Sequence, residues 1–294
     1  MPDSYSKSQE PTHGGVWRAL RYPAVAAHRL WRKWRYGPRI QVIENLRRLL
    51  AEDPVLCVAG YPGRFVVGRE SDIFRRILVA GDYEPELVEV CRRHVDPRRD
   101  AIDVGANIGL YSILLADLLL SGRVLAIEPT TNALQRLRRN IALNGREASV
   151  AVFPGAAAAT DTTVAISTVP GREEYSTAGL LGHPSISGAS FETYQVAART
   201  IDNLVAEHAL KPGFVKIDVE GMEHTVLAGM HATMEAYKPV ILAELSDPLL
   251  RNNGSSAAEV LTEIRRHGYL ISDPIHADRE PGSHPYGDIL CVPR

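Results

Sequence analysis

Beyond about residue 100 the chain alternates short apolar runs with longer segments of helical periodicity, and this alternation constrains the fold more than any other feature. A short apolar run favours a buried strand, whereas apolar residues that repeat every three to four positions favour a helix. Strands that alternate with helices build parallel βαβ units with right-handed crossovers. The last two predicted strands have no helix between them. We therefore predict an α/β fold with a mostly parallel sheet that ends in an antiparallel C-terminal hairpin.

The predicted elements follow one another at short intervals. We predict strands at residues 101–104, 123–127, 149–153, 214–219, 240–244, 269–272 and 288–292. We predict helices at residues 110–120, 132–143, 222–235 and 257–267. The intervening stretch, residues 157–199, is rich in turn formers and contains one predicted edge strand at 163–168.

Composition and charge limit the classes of partner. The chain has 294 residues, of which 45% are hydrophobic, enough for the core of one large domain with additions. The formal net charge of -2 gives no general attraction to nucleic acid. Cys57, Cys91 and Cys291 show neither a disulfide framework nor zinc-ligand spacing, so we expect a reducing, cytoplasmic environment.

Three zones are predicted along the chain. Residues 1–15 form a disordered tail, residues 16–80 a basic N-terminal extension of helical and β pieces, and residues 81–294 the α/β domain. Within residues 16–50 the three tryptophans are interleaved with arginines, a pattern typical of a helix at a lipid interface. We hypothesise peripheral contact with the inner face of the membrane. The alternative is that this segment packs on the domain or on a second subunit. The second case would make the protein an oligomer.

The turn after the first predicted strand reads DVGANIG at residues 103–109. A glycine-rich turn between strand and helix lets a ligand approach the backbone, but this spacing is neither the G-x-G-x-x-G of dinucleotide sites nor the G-K-[ST] of phosphate-binding loops. An acidic residue before the turn disfavours a pyrophosphate and favours a ligand with positive charge. Glu128 ends the next strand, where a carboxylate can accept bonds from both hydroxyls of an unphosphorylated ribose. A cation joined to such a ribose predicts S-adenosylmethionine as the cofactor.

Several motifs, taken in order, resemble those of the FkbM-type S-adenosylmethionine-dependent methyltransferases. They are DVGANIG at 103–109, EP at 128–129, NIALN at 140–144, TIDNL at 200–204 and FVKIDVEGME at 214–223. The resemblance begins near Gly81 and runs to about Leu245. It implies the Rossmann-like, seven-stranded class I methyltransferase fold, and methylation of hydroxyl groups on sugars, glycolipids or other secondary metabolites.

The resemblance also implies which residues line the cofactor site. These residues are Glu84, Asp103, Gly105, Asn107, Gly109, Glu128 and Ala156. Among them Asp103 is expected near the amino end of the methionine moiety, and Glu128 is expected at the ribose. Ala156 falls at the adenine pocket, where the sequence offers no acidic residue to accept from the adenine amino group. Glu84 is expected to line the cofactor or active site without a defined role.

Methyl transfer to a hydroxyl requires in-line alignment, exclusion of water and a base for the hydroxyl proton. Five side chains at the ends of the fourth and fifth predicted strands are expected to meet in one crevice: Asp218, Glu220, Glu223, His224 and Glu244. We predict Asp218 or Glu220 as the base and His224 as the second candidate, and each could instead be a structural group. We predict no metal ligands, although a divalent ion held by Asp218, Glu220 and Glu244 stays open as an alternative.

The long stretch at 157–199 is expected to contribute to acceptor specificity, because polar loops beside a ligand site often do so. Tyr175, His183 and Tyr194 would contact a sugar by stacking and hydrogen bonding. The alternative is a solvated loop without such a role.

The predicted function is an S-adenosylmethionine-dependent O-methyltransferase that acts on a small-molecule or glycolipid acceptor. One alternative is a non-catalytic cofactor-binding or scaffold protein. A second is a nucleic-acid methyltransferase, but enzymes that methylate exocyclic amines carry [DN]-P-P-[YF] where this chain has Asp218-Val-Glu-Gly. We therefore predict no nucleic-acid partner.

Overall fold

The computed structural model describes residues 41–169, 172–177 and 191–294, and in 172–177 it describes the backbone only. The chain divides into two compact units, Met1–Leu49 and Leu50–Arg294. In the first unit, residues 41–49 are helical. The predicted tail at 1–15 and most of the tryptophan-rich segment lie outside the described residues. The predicted division into 16–80 and 81–294 stays a prediction, because compactness alone does not show which piece folds independently.

The described residues form ten helices and thirteen strands, numbered here in chain order. The helices α1 to α10 are residues 41–49, Asp72–Ala80, Pro85–His94, Leu110–Leu118, Thr131–Leu143, Ile201–Glu207, Glu223–Ala228, His231–Tyr237, Asp247–Asn252 and Ala257–Arg266. The strands β1 to β13 are Val55–Leu56, Phe65–Val66, Asp100–Val104, Val124–Ile127, Val150–Phe153, Ala156–Ala157, Thr162–Val169, Arg172–Thr177, Glu192–Arg199, Pro212–Ile217, Val240–Ser246, Tyr269–Ser272 and Tyr286–Pro293.

Seven of these strands form the central sheet, in the order β12-β13-β11-β10-β3-β4-β5. The neighbours from β11 to β5 are parallel, and β13 runs antiparallel to both β11 and β12. β3 is the first of these seven strands along the chain and the fifth in this order, and the strand order reverses between β3 and β10. This is the topology of the class I methyltransferase sheet, and the predicted fold is confirmed.

The core forms where one face of the sheet meets the later helices. Ile102, Leu125, Val215 and Ile241 are cross-strand neighbours on β3, β4, β10 and β11, and each is fully buried. Apolar residues of α6, α7, α8, α9 and α10 pack in the same cluster. Burying each such aliphatic side chain contributes about 1.5–3 kcal/mol, so this face fixes the positions of the strand ends.

The predicted helix at 222–235 is two helices, α7 and α8, separated at Gly229. A side chain at this glycine would collide with the backbone carbonyl of Ala158, so the chain passes here in direct contact with the segment after β6. Asp202 then accepts hydrogen bonds from the backbone N–H groups of Ala232 and Thr233 and caps the start of α8. The break is a tertiary effect that helical periodicity does not reveal.

Residues 157–199 are more regular than predicted. Strands β6 to β9 form a second sheet in the order β6-β9-β7-β8. The predicted strand at 163–168 is present as β7, but its predicted edge position is wrong, because β7 lies between β9 and β8. Ile166 of β7 and Ala198 of β9 are buried in a small core of this sheet. Within the part of the chain that the structure describes, every helix is too short or too polar to span a bilayer.

Candidate active site

A pocket opens at the carboxyl ends of β3, β4 and β10, where the strand order reverses. In an open α/β sheet this is where ligands bind. Residues that follow these strands line it: Gly105 to Ile108 after β3, Glu128 and Pro129 after β4, and Asp218 to Glu220 after β10. Glu244 of β11 and Tyr286 of β13, which belong to the central sheet, also line the pocket. Ala156 and Ala157 of β6, which belong to the second sheet, line it as well.

The turn after β3 requires left-handed backbone at alternate positions. Gly105 has φ +80°, Asn107 φ +48° and Gly109 φ +88°. Glycine adopts this region freely and asparagine does so more readily than most other residues, which explains the order G-A-N-I-G. A side chain at Gly105 would also collide with the backbone carbonyl of Asp218. The turn therefore holds β3 and β10 in direct contact at the pocket.

Glu128 holds this turn in place from the end of β4. Its Oε2 accepts from the backbone N–H of Asn107 at 2.8 Å, and its Oε1 accepts from the N–H and hydroxyl of Thr130 at 2.8 and 2.6 Å. The side chain is 4% exposed, and burial raises the pKa of its carboxyl, although these hydrogen bonds oppose that rise. With three acceptor positions used, Oε2 keeps one lone pair for a ligand hydroxyl.

Asp103 lies beneath the turn and is not among the residues that line the pocket. It is fully buried, and its Oδ2 accepts from the Ser112 hydroxyl at 2.6 Å, while its Oδ1 has no hydrogen-bond partner among the described residues. Burial raises the pKa of Asp103, and the positive charge of Lys216, its cross-strand neighbour on β10, opposes the rise. Its predicted contact with the methionine amino group stays a prediction.

Lys216 connects the charged groups of the pocket. Its Nζ lies 2.9 Å from Oδ2 of Asp218 and 4.4 Å from the centroid of the Tyr111 ring. The Tyr111 hydroxyl in turn donates to Oε2 of Glu84 at 2.9 Å. Glu84, which has a left-handed backbone with φ +47°, also lies 3.7 Å from Arg76. Glu84 lines the pocket, and its predicted role at the cofactor stays a prediction.

The pKa values of Asp218 and Glu244 are shifted in opposite directions. Burial alone would raise the pKa of Asp218, but the adjacent Lys216 cation and a hydrogen bond from the Glu244 carboxyl lower it below its ordinary range. Burial and the negative charge of Asp218 hold the pKa of Glu244 well above its ordinary range. These opposite shifts favour a proton on Glu244 and a negative charge on Asp218.

The five predicted side chains at the strand ends do not all converge. Asp218, Glu220 and Glu244 line the pocket. Glu223 does not: it is 1% exposed and accepts from the backbone N–H of Gly221 at 3.1 Å, so it closes the turn after β10. Burial raises the pKa of Glu223 to about 7.

His224 also lies away from the pocket, contrary to the expected convergence. His224 is the second residue of α7. It lines a separate hollow together with Leu227 of the same helix and Glu259 of α10. Burial lowers the pKa of His224, and its Nδ1 is buried without a hydrogen-bond partner among the described residues. The physical reason is helical phase, because successive residues of a helix point about 100° apart and only one face of α7 meets the sheet.

The wall expected for adenine is apolar. Ala156 is 8% exposed, and Ala157, Ile127 and Ile166 line the pocket beside it. The hydroxyl of Tyr194, predicted as a sugar contact, accepts from the backbone N–H of Thr131 at the start of α5. The side chains of Tyr175 and His183 lie outside the described part of the structure.

The three carboxylates considered as ligands of a metal ion in the pocket do not form a metal-binding cluster among the described residues. Among the described residues, Asp218, Glu220 and Glu244 do not bring three ligand oxygens within 4.8 Å of one another. Sequence reasoning missed the roles of Tyr111 and Arg76. Tyr111 stands two residues after the predicted turn, so its aromatic ring on the first turn of a helix was the available signal. Arg76 lies on α2, which was not predicted.

Comparison with known proteins places this geometry in a family. The family model described as Methyltransferase FkbM domain matches residues 103–271. The chain is 28% identical over 218 residues to the hexuronic acid methyltransferase AglP of Haloferax volcanii. The aligned region covers 71% of this chain and 82% of AglP.

Two other relatives match smaller shares of their own length. The chain is 27% identical over 218 residues to the AMB antimetabolite synthetase AmbE of Pseudomonas aeruginosa. The aligned region covers 60% of this chain and 10% of AmbE. A crystal structure of the methyltransferase FkbM from Methylobacillus flagellatus KT superposes with a TM-score of 0.42 at 20% identity and covers 67% of this chain and 44% of that chain. The chain thus spans a tenth of AmbE and less than half of the M. flagellatus protein.

Proposed function

The chain belongs to the FkbM methyltransferase family, and we propose that it transfers the methyl group of S-adenosylmethionine to a hydroxyl oxygen of a sugar, glycolipid or other secondary metabolite. The family match confirms the predicted resemblance. The observation that carries the proposal is the direct contact of Gly105 with the Asp218 carbonyl, because it sets the cofactor turn beside an ionised carboxylate in one pocket.

The pocket residues fit S-adenosylmethionine. Glu128 keeps one lone pair on Oε2 for a ribose hydroxyl. Ala156 and Ile166 offer an apolar wall for the adenine. When bound, S-adenosylmethionine supplies an electrophilic methyl group on positively charged sulfur.

Asp218 is the proposed acceptor of the hydroxyl proton. As the acceptor oxygen forms its bond to the methyl carbon, its O–H becomes strongly acidic, so a carboxylate of low pKa is basic enough to take the proton. Lys216 fixes the Asp218 carboxylate, and the neutral Glu244 carboxyl orients it by a hydrogen bond. The oxygen–carbon bond forms, the carbon–sulfur bond breaks, and the proton passes through Asp218 to solvent. Glu220 at the same strand end is the second candidate base.

The acceptor class is proposed from the family and from the printed name of AglP, a hexuronic acid methyltransferase. A sugar hydroxyl would be aligned by the polar groups that line the pocket, and Arg76 among them carries the positive charge that would attract an acidic sugar. We further propose that residues 16–50 hold the enzyme at a membrane that presents a glycolipid acceptor, on the ground of their interleaved tryptophans and arginines.

The test is a methyl-transfer assay with the full chain, S-adenosylmethionine carrying a labelled methyl group, and a panel of neutral sugars, hexuronic acids and glycolipids. We expect stoichiometric S-adenosylhomocysteine and an acceptor heavier by one methyl group in mass spectrometry. An alkali-stable product identifies a methyl ether, whereas an alkali-labile one identifies a methyl ester and contradicts hydroxyl methylation. Donor binding without transfer to any acceptor would favour the alternative of a cofactor-binding module.

A further inference from the structure

Three metal-ligating side chains meet away from the pocket, at helices α8 and α10. His231 is the first residue of α8, Glu263 lies on α10, and His267 follows the end of α10. Nε2 of His231 and Nε2 of His267 lie 3.2 and 3.4 Å from the same atom, Oε1 of Glu263. The centroids of the two imidazole rings are 4.7 Å apart, and the rings are inclined by 40°. Two nitrogens and one oxygen therefore surround a common point.

We propose that His231, Glu263 and His267 bind a divalent transition-metal ion, with zinc as the expected ion. Zinc binds imidazole nitrogen and carboxylate oxygen at about 2.0–2.2 Å in tetrahedral geometry, which sets neighbouring ligand atoms about 3.3 Å apart. The observed separations of 3.2 and 3.4 Å match that spacing, and all three ligand atoms lie within 4.8 Å of one another. Water would complete the fourth position, as at other sites with three protein ligands.

The surroundings of the three side chains support an ion. Nε2 of His231 is buried, and although it lies 3.2 Å from Oε1 of Glu263, it makes no hydrogen bond to any described residue; a bound metal would satisfy it. Arg266 lies 3.2 Å from Oε2 of Glu263, so it orients the carboxylate while Oε1 faces the histidines. Because the Arg266 side chain is 72% exposed, solvent screens its charge from the ion.

The ion would join the start of α8 to the end of α10. Both helices contribute to the core on one face of the central sheet, through Met234 and Ile264 among others. Its role is therefore structural and independent of methyl transfer. Without a metal, the same three groups would form only an ion pair between a carboxylate and two imidazoles.

Isothermal titration of the tag-free, EDTA-treated full chain with Zn²⁺ tests the proposal. We expect one ion per chain, and at least tenfold weaker binding in His231→Ala, His267→Ala and Glu263→Gln. His276→Ala is the control, because this exposed histidine lies outside the cluster, and it should bind zinc as the unchanged chain does.

Two further measurements keep the result interpretable. Glu263→Gln preserves side-chain volume, so its circular dichroism should match that of the unchanged chain, and Zn²⁺ should raise the Tm of the unchanged chain and His276→Ala but not of Glu263→Gln. Failure of the full chain to bind one equivalent of Zn²⁺ overturns the proposal. Equal zinc affinity in Glu263→Gln and the unchanged chain overturns it as well, whatever the outcome of the methyl-transfer assay.

Discussion

At the scale of single residues, Lys216 decides the charge state of the pocket. It is 5% exposed and lies against both the Asp218 carboxylate and the Tyr111 ring. Its charge lowers the pKa of Asp218, while burial and the Asp218 charge raise the pKa of Glu244. One buried lysine therefore separates a base from a neutral acid within a crowded set of carboxyl groups.

Asp218→Asn should lower kcat by about 10²–10⁴-fold, because it removes the proton acceptor. The asparagine oxygen can still accept from Lys216, so donor affinity should stay near that of the unchanged chain. Steady-state kinetics and donor titration measure the two effects. Glu220→Gln is the paired variant: if it abolishes turnover while Asp218→Asn does not, the base is Glu220.

Glu128→Gln should weaken donor binding by about 1–3 kcal/mol, because it removes the charge that accepts a ribose hydroxyl and the Asn107 amide. Asp100→Asn is a matched control, since Asp100 also accepts two backbone N–H groups, from Arg123 and Lys211, but does so at the opposite end of β3. Titration with S-adenosylmethionine should show the loss in the first variant only. Equal affinities would remove Glu128 from the cofactor site.

The spacing of residues along the chain was enough to predict that several of them lie at the pocket. It was not enough to predict the contacts that they make there. Gly105, Asn107 and Glu128 follow predicted strands, and parallel strands end at one edge. The position of Asp103 beneath the turn depends on its strand face and on its register with Lys216, which one sequence does not reveal. His224 was misplaced because an uncertainty of one residue in a helix rotates a side chain by about 100°.

At the scale of elements, the turn after β3 depends on backbone that only glycine tolerates in this contact. Gly105→Ala should destabilise the fold and abolish donor binding, because its side chain would collide with the Asp218 carbonyl. Gly145→Ala is the matched control, since Gly145 has φ +62° but no atom within 4 Å of an added Cβ. Both variants carry the strain of left-handed backbone, roughly 1–2 kcal/mol. Chemical unfolding should therefore show a larger loss of stability in Gly105→Ala than in Gly145→Ala. Titration with S-adenosylmethionine should show loss of donor binding in Gly105→Ala only.

The turn after β10 should make stability depend on pH. Burial raises the pKa of Glu223 from its ordinary 4.5 to about 7. Because the folded chain holds this proton more tightly than the unfolded chain, the contribution is full below the unfolded pKa and is lost as pH rises through the folded pKa. Glu223→Gln cannot ionise, so its stability relative to the unchanged chain should increase from about pH 5 to about pH 8, by on the order of 3 kcal/mol.

Urea unfolding at both pH values measures this difference. Glu147→Gln, on an exposed side chain, controls for the loss of one negative charge. A difference between Glu223→Gln and the unchanged chain that does not vary with pH would mean that Glu223 keeps one charge state throughout the range.

Most elements of the central sheet could be predicted, because their apolar periodicity matches their burial. Two failures have a common cause in tertiary contact. The break at Gly229 comes from the approach of the Ala158 carbonyl, and the interior position of β7 comes from its pairing with β9, which begins more than 20 residues after β7 ends. Local pattern does not encode such partners.

At the scale of the whole molecule, every described residue that lines the pocket belongs to the second compact unit, Leu50–Arg294. A chain that lacks residues 1–49 should therefore bind S-adenosylmethionine with unchanged affinity. If residues 16–50 contact membranes, the same truncation should abolish sedimentation with anionic lipid vesicles. Loss of donor affinity on truncation would show that the first unit supports the pocket.

The overall topology was predictable because few arrangements satisfy right-handed crossovers and a final hairpin without a helix. The acceptor was not, because its contacts depend on side chains from separate strands and on stretches whose composition permits many conformations. The order of elements therefore limits the fold more strongly than it limits the chemistry.

The second sheet has a consequence for any attempt to change the substrate by exchanging segments between relatives. Ala156 and Ala157 of β6 and Ile166 of β7 line the same pocket as the turn after β3. A graft that replaced the whole insertion would thus alter the enclosure of the methyl donor together with that of its acceptor. Chimaeras that keep these three positions native and vary only the rest of the insertion offer the route to new selectivity without loss of donor capture.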